Sequence, residues 1–263
     1  MSVPSYKWVK IGKANITSLL FDQAVESILE LAKERNSHYI VTPNTDHILQ
    51  LETNPELRSA YEGAKLVCCD GRPVLWASQF LGTPLPTVIT GADLMPALCK
   101  EGSSKEGSSK EGSSKKVRIA LVGGPPHTAQ KAGENLTRSY PGLEVVWTHC
   151  PPLGFEKNPS QTMEIVDRLN ELSPDLVFLG VGAPKQEIWI HRNQKHLKVG
   201  VLLGIGAGIE FLAGTLPRAP KIMRRLGMEW LFRLYHDPKR LSVRYFKDLY
   251  FFVIILKQYF RKS

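Results

Sequence analysis

The chain alternates short apolar runs with longer stretches of helical periodicity. Six runs read as strands: Tyr39–Thr42, Leu66–Cys69, Val117–Val122, Glu144–Thr148, Leu176–Val181 and Gly200–Ile205. Helical patterns fit between them at Phe21–Arg35, Pro55–Glu62, Ala92–Leu98, His127–Ser139, Gln161–Leu172 and Gln186–His196. Residues 1–13 read as a further short strand. Strands alternating with helices of this length predict an α/β fold with a mostly parallel, doubly wound sheet. Leu-Val-Phe-Leu-Gly-Val at 176–181 is apolar throughout rather than alternating, as expected of a strand covered on both faces.

Two segments depart from this rhythm. Residues 101–115 are Glu-Gly-Ser-Ser-Lys written three times, a composition that predicts a flexible surface loop without a function of its own. After Pro217 the strands cease. Ile222, Met223, Leu226, Trp230, Leu231 and Leu234 recur at helical spacing over 221–235, and Asp237-Pro238 supplies an N-cap and first-turn proline for a second helix reaching about Phe260. The expected organisation is a catalytic core over 1–216 and a helical appendage over 217–263.

Charge sharpens that division. Residues 217–263 hold 12 Lys or Arg against 3 Asp or Glu, whereas residues 1–216 hold 22 of each, so the whole net charge of +9 lies in the appendage. A basic helix that mixes Tyr245, Phe246, Tyr250, Phe251, Phe252, Tyr259 and Phe260 with Arg244, Lys247, Lys257 and Arg261 suits an anionic membrane interface. The alternative is a helix packed on the core with a solvated basic face. No apolar run reaches the ~18–20 residues that span a bilayer, and the first residues do not read as a secretory signal. Cys68, Cys69, Cys99 and Cys150 form no C-x-x-C pair, which argues against zinc or redox chemistry and fits a reducing compartment. The expected location is the cytoplasmic face of a membrane, held peripherally.

In an open parallel sheet, ligands bind beyond the carboxyl ends of the strands. The residues there are Pro43-Asn44-Thr45-Asp46-His47, Asp70-Gly71, Gly123-Gly124-Pro125-Pro126, Gly182-Ala183-Pro184-Lys185-Gln186-Glu187 and Gly206-Ala207-Gly208. Asp70 ends an apolar strand, where partial desolvation would raise its pKa into the range of a general base, and Gly71 permits close approach of a substrate. Capping of the following turn is the structural alternative for Asp70. The glycine-rich turn before Lys185, with Pro184 placed for the first helical position, could offer free N–H groups to a phosphate. His47 reads as a structural histidine, and no carboxylate or histidine cluster suggests a metal. Gly204–Gly208 is half of a dinucleotide fingerprint, but the full G-x-G-x-x-G and its downstream acid are missing, which weakens an NAD-dependent oxidoreductase as the alternative. A nucleic-acid partner for the basic tail is the weaker rival.

Taken in order, these segments resemble the WecG/TagA/CpsF glycosyltransferase family, glycosyltransferase family 26. The matching stretches are Val-Thr-Pro-Asn-Thr-Asp-His (41–47), Asp-Gly-Arg-Pro-Val (70–74), Thr-Gly-Ala-Asp-Leu (90–94) and Leu-Val-Gly-Gly (121–124). They continue through Gly-Val-Gly-Ala-Pro-Lys-Gln-Glu (180–187), the run from Gly204 to Pro220 containing Leu-Pro-Arg-Ala-Pro, Glu-Trp-Leu-Phe-Arg-Leu (229–234) and Asp-Pro-Lys-Arg (237–240). The resemblance implies a Rossmann-like, GT-E-like core with a mobile C-terminal appendage. It further implies inverting transfer from a UDP-sugar to a polyprenyl-diphosphate-linked sugar in teichoic acid, enterobacterial common antigen or exopolysaccharide synthesis, with no metal or other cofactor. N-acetylmannosamine, its uronic acid and glucose are the donor sugars it leaves open. On this sequence it implies Asp70 as the base, Thr42, Asn44 and Gln186 at the sugar, and Arg233 and Arg240 at the diphosphates. The family often carries adjacent arginines where this chain has Val243-Arg244, so Arg244 ranks below the other two. Gly71, Gly123, Gly124, Gly182, Lys185 and Gly206 complete the expected substrate contacts. The apolar appendage leaves self-association open.

Overall fold

A computed structural model describes residues 6–106 and 116–262; the side chains of residues 105, 106, 221, 225, 240 and 262 fall outside the description. The chain opens with an antiparallel hairpin of β1 (Lys7–Ile11) and β2 (Ala14–Ser18), turned at Gly12. There follow α1 (Phe21–Lys33), β3 (His38–Val41), α2 (Thr45–Thr53), α3 (Pro55–Glu62), β4 (Leu66–Val67), α4 (Arg72–Phe80) and α5 (Gly91–Glu106). The second half runs through β5 (Val117–Gly123), α6 (Thr128–Ser139), β6 (Leu143–His149), α7 (Pro159–Leu172), β7 (Leu176–Gly180), α8 (Lys185–Asn193), β8 (Val201–Gly204) and α9 (Gly208–Ala213).

β3 to β8 form one six-stranded sheet in the order β4-β3-β8-β7-β5-β6, and every pairing is parallel. Successive strand side chains enter opposite layers. In β7, Val177 and Leu179 join the layer built with the hairpin, α2, α3, α7 and α8, while Leu176 and Phe178 join the layer of α1, α5, α6 and α9. Both layers are apolar, which accounts for the uninterrupted hydrophobic runs of the central strands. The α/β, Rossmann-like architecture expected from the sequence is the one observed.

Three differences have local causes. The first Glu-Gly-Ser-Ser-Lys copy is not loop: it finishes α5, where the Ser103 and Ser104 hydroxyls bond back to the Lys100 carbonyl and Gly102 lies against Val117. Residues 107–115, the rest of the repeat, lie outside the described residues. α2 and α4 are absent from the sequence reading because both start inside loop-like motifs. Asn44 caps α2 with its side chain, and Gly71 precedes α4 in a conformation of φ +95°.

The C-terminal segment is helical, in four pieces rather than two: α10 (Lys221–Arg225), α11 (Glu229–His236), α12 (Pro238–Asp248) and α13 (Tyr250–Lys262). Gly227, at φ +75°, separates the first pair, and Asp237-Pro238 separates α11 from α12 as expected. The segment packs on the sheet-bearing part. Phe251 is fully buried and Ile255 and Leu241 nearly so, and the Gln258 side chain bridges to the hairpin, accepting from the Gly12 N–H at 2.7 Å and donating to the Lys10 carbonyl at 2.7 Å. The rest of its apolar surface faces outward: Tyr235, Phe246, Phe260 and Ile222 are each more than 70% exposed. Among the described residues no helix is long and apolar enough to cross a membrane.

Candidate functional site

The carboxyl ends of all six parallel strands open into one cleft of about 2100 Å³. Thr42 follows β3, Asp70 follows β4, Gly123 and Gly124 close β5, Cys150 follows β6, Gly180 and Gly182 end β7, and Ile205 and Gly206 follow β8. The opposite wall is C-terminal: Trp230, Phe232, Arg233, Arg244, Tyr245 and Phe252 face the same space. The fold therefore brings the strand-end motifs and the basic segment to one place, although they are far apart in the chain.

Asp70 is set by backbone geometry. Its N–H donates to the Pro43 carbonyl at 3.0 Å, tying the β4 exit to the β3 exit. Gly71 then takes a left-handed conformation that a side chain would strain, and a Cβ there would meet nothing closer than the Pro73 ring at 3.7 Å. Among the described residues none hydrogen-bonds the Asp70 carboxylate. Desolvation pushes its pKa up to about 6; Arg233 and His47 pull it down, and Glu229 and Asp93 add to the rise. A carboxylate poised there is a usable base near neutral pH.

The glycine edge is equally specific at Gly123, whose φ is +127° and where a Cβ would lie 2.4 Å from the Gly180 carbonyl oxygen. Gly124 N–H donates to that same carbonyl at 3.0 Å, which locks the β5 and β7 exits together. Lys185 opens α8, half-exposed, with its ammonium 3.8 Å from Glu156. Pro184 stands one position before the helix, as its N-cap, rather than within the first turn.

Other expected residues reach the cleft with their polar groups already engaged. The Asn44 side-chain oxygen caps α2, accepting from the His47 N–H at 3.3 Å. Gln186 is 3% exposed; its Oε1 accepts from the Gly206 N–H at 3.2 Å and its Nε2 donates to Glu187 at 2.7 Å. Thr42 is buried at the cleft floor. Arg233 is held by Glu229, with Nε 3.1 Å from its carboxylate, and its guanidinium lies 5.4 Å from the centre of the Phe211 ring. Arg244 pairs with Asp46 at 3.3 Å, while Thr45 donates to Asp248 at 3.2 Å, so α12 is clasped to α2 across the cleft. Arg240 lies in α12, but its side chain is outside the described residues.

Two cleft arginines carry no role in the sequence reading. Arg218 and Arg224 both bond Asp93, at 2.9 and 3.1 Å, and the Arg218 guanidinium, like that of Arg233, lies over the Phe211 ring, 5.5 Å from its centre. Arg218 sits inside the Arg-Ala-Pro motif that carries the resemblance, so its position was marked but its contacts were not. The Glu187–His47 pair, 3.4 Å apart and buried, is the other omission. A glutamate and a histidine on different elements give no spacing signal in one sequence.

Comparison with known proteins identifies the family. The family described as glycosyl transferase WecG/TagA/CpsF matches residues 9–263. A protein of Staphylococcus aureus strain MW2 named N-acetylglucosaminyldiphosphoundecaprenol N-acetyl-beta-D-mannosaminyltransferase is 29% identical over 238 residues, covering 88% of this chain and 87% of its own length. A protein of the same name from Bacillus spizizenii strain W23 is 28% identical over 202 residues, covering 77% of this chain and 72% of its own length. The family match runs over nearly the whole chain, which therefore belongs to the WecG/TagA/CpsF family of glycosyltransferases.

Proposed function

We propose that this enzyme transfers a sugar, with inversion, from a UDP-sugar to a polyprenyl-diphosphate-linked saccharide at the surface of an anionic membrane, peripherally bound on its cytoplasmic face. The observation that carries the reading is the convergence of Asp70 with a wall of arginines in one cleft at the strand ends. In the reaction, Asp70 accepts the proton of the acceptor hydroxyl as that oxygen forms a bond to C1 of the donor sugar. The bond from C1 to the diphosphate oxygen breaks, and UDP leaves with the electron pair. The charge growing on the leaving diphosphate is met by cations of the chain, of which Arg218, Arg224 and Arg233 line the cleft. The scheme uses no metal and no cofactor.

The names of the relatives make UDP-N-acetylmannosamine the first donor to test and N-acetylglucosamine-diphosphoundecaprenol the first acceptor. The outward aromatics and the basic charge of the last helices support a membrane-bound acceptor. Trp76 and Phe80, one turn apart on α4, extend that apolar surface: the Phe80 ring lies 4.9 Å from Tyr259, and Trp76 abuts Gly227. α4 begins at Arg72, two positions after Asp70, so the surface adjoins the reacting centre. Thermal shift separates this reading from its rivals, because a ligand stabilises by RT ln(1 + [L]/Kd). UDP is expected to raise Tm, with NAD and an oligonucleotide leaving it unchanged; stabilisation by NAD but not UDP would favour an oxidoreductase.

A further inference from the structure

Behind the cleft, three strand-end turns are joined by one line of buried polar groups. Gly206 N–H donates to Gln186 Oε1, Gln186 Nε2 donates to Glu187 Oε1, and that carboxylate lies 3.4 Å from His47 Nε2. On its other side the His47 ring presents Nδ1 to Asn44 Oδ1 at 2.8 Å. Glu187 is 1% exposed and His47 7%. Glu187 Oε2 and His47 Nε2 have no hydrogen-bond partner among the described residues; the two side chains meet through Oε1, which lies at ion-pair distance from Nε2.

Both ring nitrogens of His47 face oxygens. The carboxylate can only accept, and Asn44 Oδ1, oriented by the His47 backbone N–H at 3.3 Å, can only accept as well. A neutral ring would satisfy one nitrogen and turn the lone pair of the other toward an oxygen. Nδ1 accepting from the Asn44 N–H, 3.3 Å away, would leave that lone pair 2.8 Å from Oδ1. We propose that Glu187 is a positioning residue that holds His47 as a buried imidazolium, fixing Asn44 at the cleft and placing a permanent positive charge near Asp70.

The surroundings of the two groups agree. Burial opposes a charge on His47, but Glu187, then Asp46 on its own helix and Asp70 across the cleft, more than offset it, and its pKa is raised. From α3, Tyr61 packs its ring 6.4 Å from that of His47, and its phenol is kept neutral by burial and by the same carboxylates. Asp70 in turn faces Arg233 and Glu229 of α11, His47 of α2 and Asp93 of α5. Arg233 and His47 are the cations among these, and Arg233 is shared with Glu229. A buried ion pair rarely adds net stability over an apolar pair of similar size, so its use here lies in placement of charge.

The inference rests on the reading of Asp70 as base, but its first test needs no substrate. Nitrogen and carbon NMR titration of His47 in the full-length enzyme should show both ring nitrogens protonated at pH 7, with the midpoint lowered in Glu187→Gln. A His47 ring that is neutral at pH 7 in the unmodified enzyme overturns the proposal, even if the variant fails to fold. The second test is the rate of transfer from UDP-N-acetylmannosamine to N-acetylglucosamine-diphosphoundecaprenol between pH 5 and 9. Loss of the imidazolium should raise the Asp70 midpoint, so the ratio of rates at pH 6 and pH 8 should fall about twofold or more in Glu187→Gln. A variant that is slower by the same factor at every pH would mean that the pair only braces the fold. Absence of transfer by the unmodified enzyme would count against the substrate reading alone, with the titration still deciding the charge of His47.

Discussion

At the scale of single residues, Asp70 links chemistry to stability. Its pKa near 6 lies above the usual carboxylate range, so the folded state disfavours its charge. The penalty is absent below the unfolded-state value near pH 4 and grows to its full size as pH rises past 6, where it amounts to roughly 1–3 kcal/mol. Asp70→Asn should therefore abolish transfer, by ~10²–10⁴-fold, while raising Tm by a few degrees at pH 8. The gain should shrink toward pH 4; scanning calorimetry beside the rate assay checks both. A variant that keeps more than about a tenth of the turnover would remove Asp70 from the role of base. Asp70 could be read from the sequence because a lone carboxylate ending an apolar strand is a local signal. The engagement of Gln186 and Asn44 could not, because their partners, Gly206, Glu187 and His47, lie on other elements or turn back on the same loop. Both residues are expected at the sugar by resemblance, and both also hold the turns in place. Substituting either by Ala should consequently lower Tm as well as activity.

At the scale of elements, the central parallel strands were legible because burial on both faces leaves short, uninterrupted apolar runs between helical patterns. α2 and α4 were not, since their first turns are built from the polar and glycine residues that also mark the cleft. The C-terminal helices show the limit of periodicity most clearly. Phe251 and Phe252 are neighbours in sequence, yet Phe251 is fully buried and Phe252 is 51% exposed. Aromatic content alone cannot say which of the two faces the sheet-bearing part. Phe251→Ala should cost about 3–5 kcal/mol, the usual loss for a buried phenylalanine, measured by denaturant unfolding. A chain ending near Leu216 would leave that slot open, so it should be less stable and more prone to associate than a self-contained core. Phe80→Glu tests the outward surface. It should weaken sedimentation with vesicles of phosphatidylcholine and phosphatidylglycerol while leaving thermal unfolding almost unchanged, because Phe80 is 51% exposed. Unchanged sedimentation would confine membrane contact to the last helices.

At the scale of the whole molecule, the distribution of charge and the topology point to the same arrangement. The parallel sheet delivers six strand ends to one edge, and the segment carrying the whole net charge of +9 closes the other side of the same cleft. A diphosphate-bearing acceptor arriving at an anionic membrane would meet arginines, and its sugar hydroxyl would meet Asp70. The most direct test of this account is transfer by the purified full-length enzyme in phosphatidylglycerol-containing vesicles, supplied with UDP-N-acetylmannosamine and N-acetylglucosamine-diphosphoundecaprenol and followed by mass spectrometry of the lipid. The unmodified enzyme should yield a lipid-linked disaccharide and Asp70→Asn none. A disaccharide formed at the same rate by Asp70→Asn, or no glycosylated lipid from any UDP-sugar tried, would contradict it.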